Sequence, residues 1–319
     1  MWGTRLIMNA ALTLSRSRTQ APPAPLTRRK RGRGDGRAAL LFLLPSLIGF
    51  AVFFVYPAIR GVWYSMTDWN LLSPPGYTGA DNYRKLIHDP QFWSSLRVTA
   101  YFVIMTLTSQ MVLALALAGL MHRMTRSITV RAILLLPWLV PNVTIGLLWM
   151  WLLDTNLGFV NDLLRSLGGS TQGFLTAPSL ALPSIAGITT WAGTGYVALL
   201  FYAGMLQIPH DIYESATIDG AGEIRIFLRI TLPLLKPIIA LVMVVSVIGS
   251  FQVFDVVAVT TTGGPVGLTK VIYYYIYDEA FHHFRMGYAS AIALSLVIVL
   301  ATMTYLQMRL LRASTSDLA

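Results

Sequence analysis

Few residues in this chain could carry chemistry, and one small acidic group lies in "YESATIDGAG", residues 213–222. It sets Glu214 and Asp219 beside Gly220, between long apolar runs. Asp255 is the single acid inside any of those runs. An ionisable group there is either a functional candidate or an interfacial carboxylate pairing with a neighbouring helix. His282 and His283 are adjacent, and adjacent positions do not share a helical face; a solvated pair is expected rather than a metal site. "NVT" at 142–144 fits the glycosylation triplet but falls inside an apolar run. Residues 263–270, "GGPVGLTK", imitate a phosphate loop yet lack the Gly-Lys-Ser/Thr ending and a following soluble helix. There is no cysteine, which excludes thiolate catalysis, disulfides and cysteine metal sites. The sequence therefore offers no catalytic residue, no metal site and no nucleotide site of its own. Energised work would draw on a partner chain.

Composition fixes the elements that must position these groups. Of 319 residues, 55% are hydrophobic and only 12% charged, half the usual quarter. Such a chain cannot cover a water-facing surface, and membrane lipid is its natural solvent. Apolar runs long enough to cross the hydrocarbon core, about 20 residues each, occur at 38–58, 98–121, 132–153, 184–205, 237–259 and 286–310. Backbone polar groups in lipid must be satisfied within each segment, which predicts six transmembrane helices and an all-α, polytopic membrane fold. The first run is too long for a signal-peptide core and no small-residue cleavage site follows it, so it is expected to be retained.

The formal net charge is +10, and nine of the 24 Lys/Arg fall in residues 1–37, including Arg28-Arg29-Lys30-Arg31, with Asp35 as the only acid. A basic tail before an apolar run resists translocation, so it reads as a cytoplasmic anchor rather than a nucleic-acid arm. Placing the N-terminus inside puts seventeen basic residues on that side and seven on the other. Both termini, and residues 206–236, are then cytoplasmic. Residues 1–37 are expected to be disordered, and 313–319 to form a short cytoplasmic tail. Residues 1–25 carry Arg and Ser without acids, as an organelle transit peptide would, and a misassigned start codon is another alternative. The excess of Arg over Lys hints at a GC-rich bacterial genome and hence a bacterial cell membrane.

In residues 206–236, Pro209 suits the first turn of a short helix, with Asp211 and Glu214 near its positive end. Asp219-Gly220 signals a turn, and a second short helix is expected over 222–231. Pro233 and Pro237 mark the return to the membrane. Ser215, Ala216, Ala221 and Gly222 are small and allow close approach of another surface, while Ile212, Tyr213 and Phe227 supply an apolar docking face. Read alone, this is an amphipathic inner loop.

The pattern Glu214-Ser215-Ala216, Asp219-Gly220-Ala221, Phe227, Ile230, Leu232-Pro233 and Pro237 closely resembles the EAA loop of membrane subunits of binding-protein-dependent ABC importers. Ser215 stands where that family usually has alanine. Phe254-Asp255 with Thr262-Gly263-Gly264-Pro265, then Tyr274-Tyr275-Ile276-Tyr277 and Ala280-Phe281, resembles the permeases of carbohydrate importers of the maltose-transporter class. Gly79-Ala80-Asp81-Asn82-Tyr83 and Asp89-Pro90-Gln91-Phe92-Trp93 resemble the segment after that family's first helix. The resemblance covers residues 38–312 and implies a type I ABC importer permease fold. It further implies a second, different permease, two ATP-binding subunits and an extracytoplasmic solute-binding protein as partners. No cofactor is expected in this chain; ATP and Mg would be used by the partner ATPase. Glu214, Ser215, Ala216, Asp219, Gly220, Ala221, Phe227 and Pro233 would form the ATPase-coupling site, with Gly220 making the turn.

Thr189, Gly193 and Tyr196 fall on one face of the fourth run. Ser246 and Ser250 do the same on the fifth, with Gln252 nearby. In the maltose class the helices before and after the coupling loop hold substrate, so the resemblance makes these six a candidate pathway; helix packing is the alternative. Pro137 and Pro141 suggest a kink in the third run. The expected function is a permease subunit of an ATP-driven sugar importer. Alternatives are an ABC permease for glycerol phosphate, a polyol, phosphate or an amino acid, a membrane-embedded enzyme, or a carrier driven by an ion gradient.

Overall fold

The computed structural model describes residues 33–124 and 127–311, with side chains described from 40 to 124 and from 127 to 310. Most of the 1–37 tail and all of 313–319 lie outside these residues. The helix that enters the first span begins at Arg33, so 33–37 are helical rather than disordered. No proline interrupts the backbone ladder until Pro45, so it extends back into this polar stretch.

The chain divides into a unit ending at Tyr56 and a unit beginning at Pro57. The described part of the first unit is one apolar helix with exposed side chains, Leu41 and Phe42 among them. A helix of mean hydropathy 2.2 over Leu40–Ser65 requires lipid or an apolar partner along its length.

In the second unit, the further spans are Pro90–Met124, Ala181–Met205, Lys236–Thr260 and Met286–Leu310, together with the bent pair Ile128–Leu139 and Asn142–Leu152. The third span was expected as one helix and is two, crossing at 92°. Its break falls at Pro141, while Pro137 stays inside the first half. The residue before a proline is pushed out of the helical region, and Val140 accordingly lies at φ −81°, ψ 136°. The fifth span is also interrupted. Its helix ends at Phe251, and Asp255 opens a separate helix, Asp255–Thr260, instead of sitting near the outer end of a continuous one.

The second and fourth spans pack along their length, and 128–139 lies against the fourth. Small residues permit this, as is usual between membrane helices. Ala114, Ala118 and Ala198 are wholly buried around Phe201 and Leu235. A Cβ at Gly195 would meet the Leu134 carbonyl oxygen. A larger cluster at the other end joins Phe102, Ile185, Val257, Val271 and Ile272.

Candidate functional site

The two breaks, in the third and fifth spans, face each other and open a cavity of about 570 Å³ between helices. Thr189, Gly193 and Tyr196 of the fourth span and Ser246, Ser250 and Gln252 of the fifth, the six candidate pathway residues, all line it. Sequence patterning missed the wall opposite them. Trp138 stacks on Tyr196 with ring centroids 4.4 Å apart and planes 9° from parallel. Asn142 donates from Nδ2 to the Asp255 Oδ2 at 3.3 Å, tying the restart of the third span to the restart of the fifth. Asp255 also sits in the first turn of its helix, where a carboxylate opposes the positive helix end. Thr106 and Gln110 of the second span complete the lining. An amide in the apolar centre of that span was the signal available for Gln110. Asp255 is the only ionisable carboxylate in the wall, and no Lys, Arg or His lines it among the described residues. The Thr189 hydroxyl donates to the Ile185 carbonyl at 3.0 Å, as hydroxyls in helices do when their neighbours are apolar.

The segment expected to couple to an ATPase folds as two short helices, His210–Ile218 and one starting at Glu223. Gly220 turns between them at φ +75°, a conformation that glycine adopts without a Cβ penalty. The Ala221 N–H donates back to the Ala216 carbonyl, closing the first helix. Glu214, Ser215, Asp219, Gly220 and Pro233 are exposed, Ala216 is buried and Ala221 is half-buried. Glu214 Oε1 lies 3.0 Å from Nδ1 of His210. Phe227 does not form an outer docking face. It packs beside Gly119 of the second span, within the cluster around Phe201. Tyr213 turns the same way, its hydroxyl 3.3 Å from that of Thr231. Arg123 pairs with Glu223, anchoring the second short helix to the end of the second span. The large apolar residues left most exposed on the two helices are Ile218, at 86%, and Ile224, at 78%, with Leu228 less so.

A third constellation lies at the opposite ends of the spans. Asp89 precedes Pro90 and accepts the Gln91 N–H, capping the second span. Its other oxygen accepts hydrogen bonds from Tyr275 and Tyr288, both at 2.6 Å. Lys270 donates to Asp278 at 2.7 Å, and Arg285 pairs with buried Glu279. The adjacent histidines are exposed, as expected of a solvated pair, and each also meets an acid. His282 Nδ1 is 2.8 Å from Asp278 and His283 Nδ1 is 3.4 Å from Glu279, each reaching one helical turn back.

Burial pushes the Asp89 carboxyl up, but the tyrosine and backbone donors outweigh it and hold it below its ordinary range. Asp278 ends below its range for the same kind of reason, burial being outweighed by Lys270 and His282. Burial raises Glu279 despite Arg285 and His283. Because the native Asp89 binds its proton less tightly than the unfolded chain, its stabilisation is present above about pH 4 and lost as pH falls through its native value. Glu279 has the opposite sign, its contribution fading as pH rises above its ordinary range. We expect Asp89→Asn to lower the melting temperature of the detergent-solubilised protein at pH 6 and to lose less than wild type between pH 5 and 3. Parallel melting curves for the two proteins across that range would contradict this role for Asp89.

Transmembrane helices, a pair of short helices between the fourth and fifth spans and a cavity among the spans fit the class in which the relatives of this chain fall: transmembrane permease subunits of ABC importers, which are transport subunits rather than enzymes. Residues 110–317 match the family of binding-protein-dependent transport system inner membrane components, and the chain belongs to that family. It is 33% identical over 282 residues to the sulfoquinovosyl glycerol transport system permease protein SmoG of Agrobacterium fabrum, spanning 88% of this chain and 92% of that protein. It is equally 33% identical over 280 residues to the trehalose/maltose transport system permease protein MalF of Thermococcus litoralis, spanning 86% and 94%. Its structure resembles a chain in the crystal structure of a bacterial ABC transporter involved in the import of the acidic polysaccharide alginate. That match has a TM-score of 0.77 and 25% identity, and covers 89% of this chain and 98% of that one. The protein is therefore an integral membrane subunit that works with a solute-binding protein.

Proposed function

We propose that this subunit forms half of the translocation pathway of an ATP-driven importer for a carbohydrate. The observation that carries the solute class is the cavity. It combines a stacked aromatic pair with hydroxyl and amide side chains, the mixture of apolar surface and a few placed polar groups that orients a small polar ligand. Aromatic faces suit the C–H surfaces of a sugar ring, and the polar groups suit its hydroxyls. An anionic solute such as phosphate would meet no cation on this wall. The permease named above for trehalose and maltose supports the same class.

The assembly we propose contains a second, different permease, two ATP-binding subunits and an extracytoplasmic solute-binding protein. The segment 206–236 docks on an ATP-binding subunit through Glu214, Ser215, Asp219 and Gly220 on its outer surface. Ala216, Ala221, Phe227 and Pro233 shape it from behind or beside. ATP and Mg belong to that partner, and this chain binds no cofactor. Both termini lie in the cytoplasm, in keeping with the excess of basic residues on that side. Closure of the ATPase pair moves the short helices, and the spans they join switch the cavity from inward- to outward-facing.

Purification of the tagged chain in mild detergent should bring with it a second permease and an ATPase in stoichiometric amounts. Reconstituted with the binding protein, the complex should import a neutral sugar only with ATP. A chain that emerges alone and still moves solute would sink this function.

A further inference from the structure

We infer that Thr106 and Gln110 contact the transported solute, so that the second span adds a hydrogen-bonding wall to those of the fourth and fifth. This rests on the carbohydrate function proposed above and extends it to a helix that neither motif nor helical patterning singled out.

The two residues are four apart on Pro90–Met124 and therefore share a face. Both line the cavity. Thr106 is 1% exposed, and its Oγ1 has no hydrogen-bond partner. Gln110 is 8% exposed, and its amide makes no hydrogen bond to the described protein, although it can offer two donors and an acceptor. Two other polar side chains on the same helix, away from the cavity, are satisfied. Thr99 donates to the Ser95 carbonyl and accepts the Ile272 N–H. Ser109 donates to the Met105 carbonyl and meets Thr190 at 3.0 Å across the helix pair. Packing between spans thus accounts for Ser109 but not for the two side chains that face the cavity.

Buried polar groups in native proteins are almost always partnered, so a buried unpartnered hydroxyl beside an amide with no hydrogen bond to the described protein, on two residues that line a polar cavity, marks where a mobile partner belongs. A hydroxyl beside a carboxamide one turn away matches a vicinal diol, since each can both donate and accept. The Trp138–Tyr196 stack lies in the same cavity and gives the ring of such a solute an apolar face. Gly193 gains a definite purpose. A Cβ there would lie 2.4 Å from the Gln110 Nε2, so the missing side chain makes room for the amide to reach the cavity.

The test uses the intact transporter with its binding protein in proteoliposomes, supplied with radiolabelled maltose, trehalose and sn-glycerol 3-phosphate as probes. Thr106→Val and Gln110→Leu keep shape and remove hydrogen bonding. Each should cut uptake of the probe that wild type carries best by roughly tenfold or more, as sites built to bond a hydroxyl do when the bond is lost. Both should also change the order of preference among the probes. Thr106→Ser should restore uptake, and Gly193→Ala, which displaces the amide, should resemble Gln110→Leu. Wild-type rates and preferences in Thr106→Val and Gln110→Leu, alongside failure of Tyr196→Ala, would overturn the inference and leave the cavity as the pathway. Wild-type transport by all three, or no uptake of any probe by wild type, would remove both.

Discussion

Changing Ile218 and Ile224 together to aspartate should abolish uptake while leaving the permease folded. These two side chains stand out because they are large, apolar and almost fully exposed, on short helices whose other outward residues are mostly polar. Neither contributes to either buried cluster, so their replacement removes little from the fold itself. Burying one such side chain in a partner's cleft contributes about 1.5–3 kcal/mol, and an aspartate there would bring the further cost of desolvating a charge. Two such changes are expected to weaken seating of the ATPase by several orders of magnitude. The melting temperature of the isolated subunit should stay near that of wild type, while the ATPase no longer co-purifies. Gly220 gives a graded comparison. Nothing lies within 4 Å of a Cβ placed there, so Gly220→Ala meets only the left-handed backbone penalty of roughly 1–2 kcal/mol and should reduce uptake rather than end it. Normal uptake by the double aspartate variant would mean that the motor seats elsewhere.

The elements of the site most legible in the sequence are those encoded by local spacing. Thr189, Gly193 and Tyr196 share a helical face whatever surrounds them, and Gly220 announces its own turn. What hydropathy could not reveal was where a helix stops inside the membrane. Pro141 ends one helix and Asn142 starts the next at 92°, yet the apolar run continues unbroken across both. Such breaks are tolerated where the freed backbone lines a cavity or is buried in protein, which is a property of neighbours, not of the run. The Asn142–Asp255 contact spans 113 positions, so no window of sequence contains it. Phe227 is the instructive failure. An aromatic residue on a polar loop suggested an outer face, but Gly119 leaves a space on the second span that its ring fills. The outward role falls to Ile218 and Ile224, whose exposure depends on how the two helices turn about Gly220.

Gly195→Ala should be the most damaging single methyl in the molecule's membrane-embedded part. A Cβ at Gly195 would sit 1.8 Å from the carbonyl oxygen of Leu134. That oxygen belongs to backbone, so no rotamer change relieves the clash, and the fourth span must move away from 128–139. Overpacking typically costs 1–3 kcal/mol, and the upper end is expected where two backbones oppose each other. The consequence reaches the site because Trp138 lies one turn beyond Leu134 and Tyr196 is the next residue after Gly195. Pushing these helices apart parts the ring stack on the cavity wall, so uptake should fall further than stability alone predicts. Gly187→Ala, on the same span, is the control. Nothing lies within 4 Å of its added carbon, and alanine is favoured over glycine in a helix by about 0.8–1 kcal/mol. Thermal unfolding in detergent should therefore move down for Gly195→Ala and hold or rise for Gly187→Ala. Equal melting temperatures and equal uptake in both variants would mean that the two helices do not approach so closely, and the Trp138–Tyr196 wall would lose its basis.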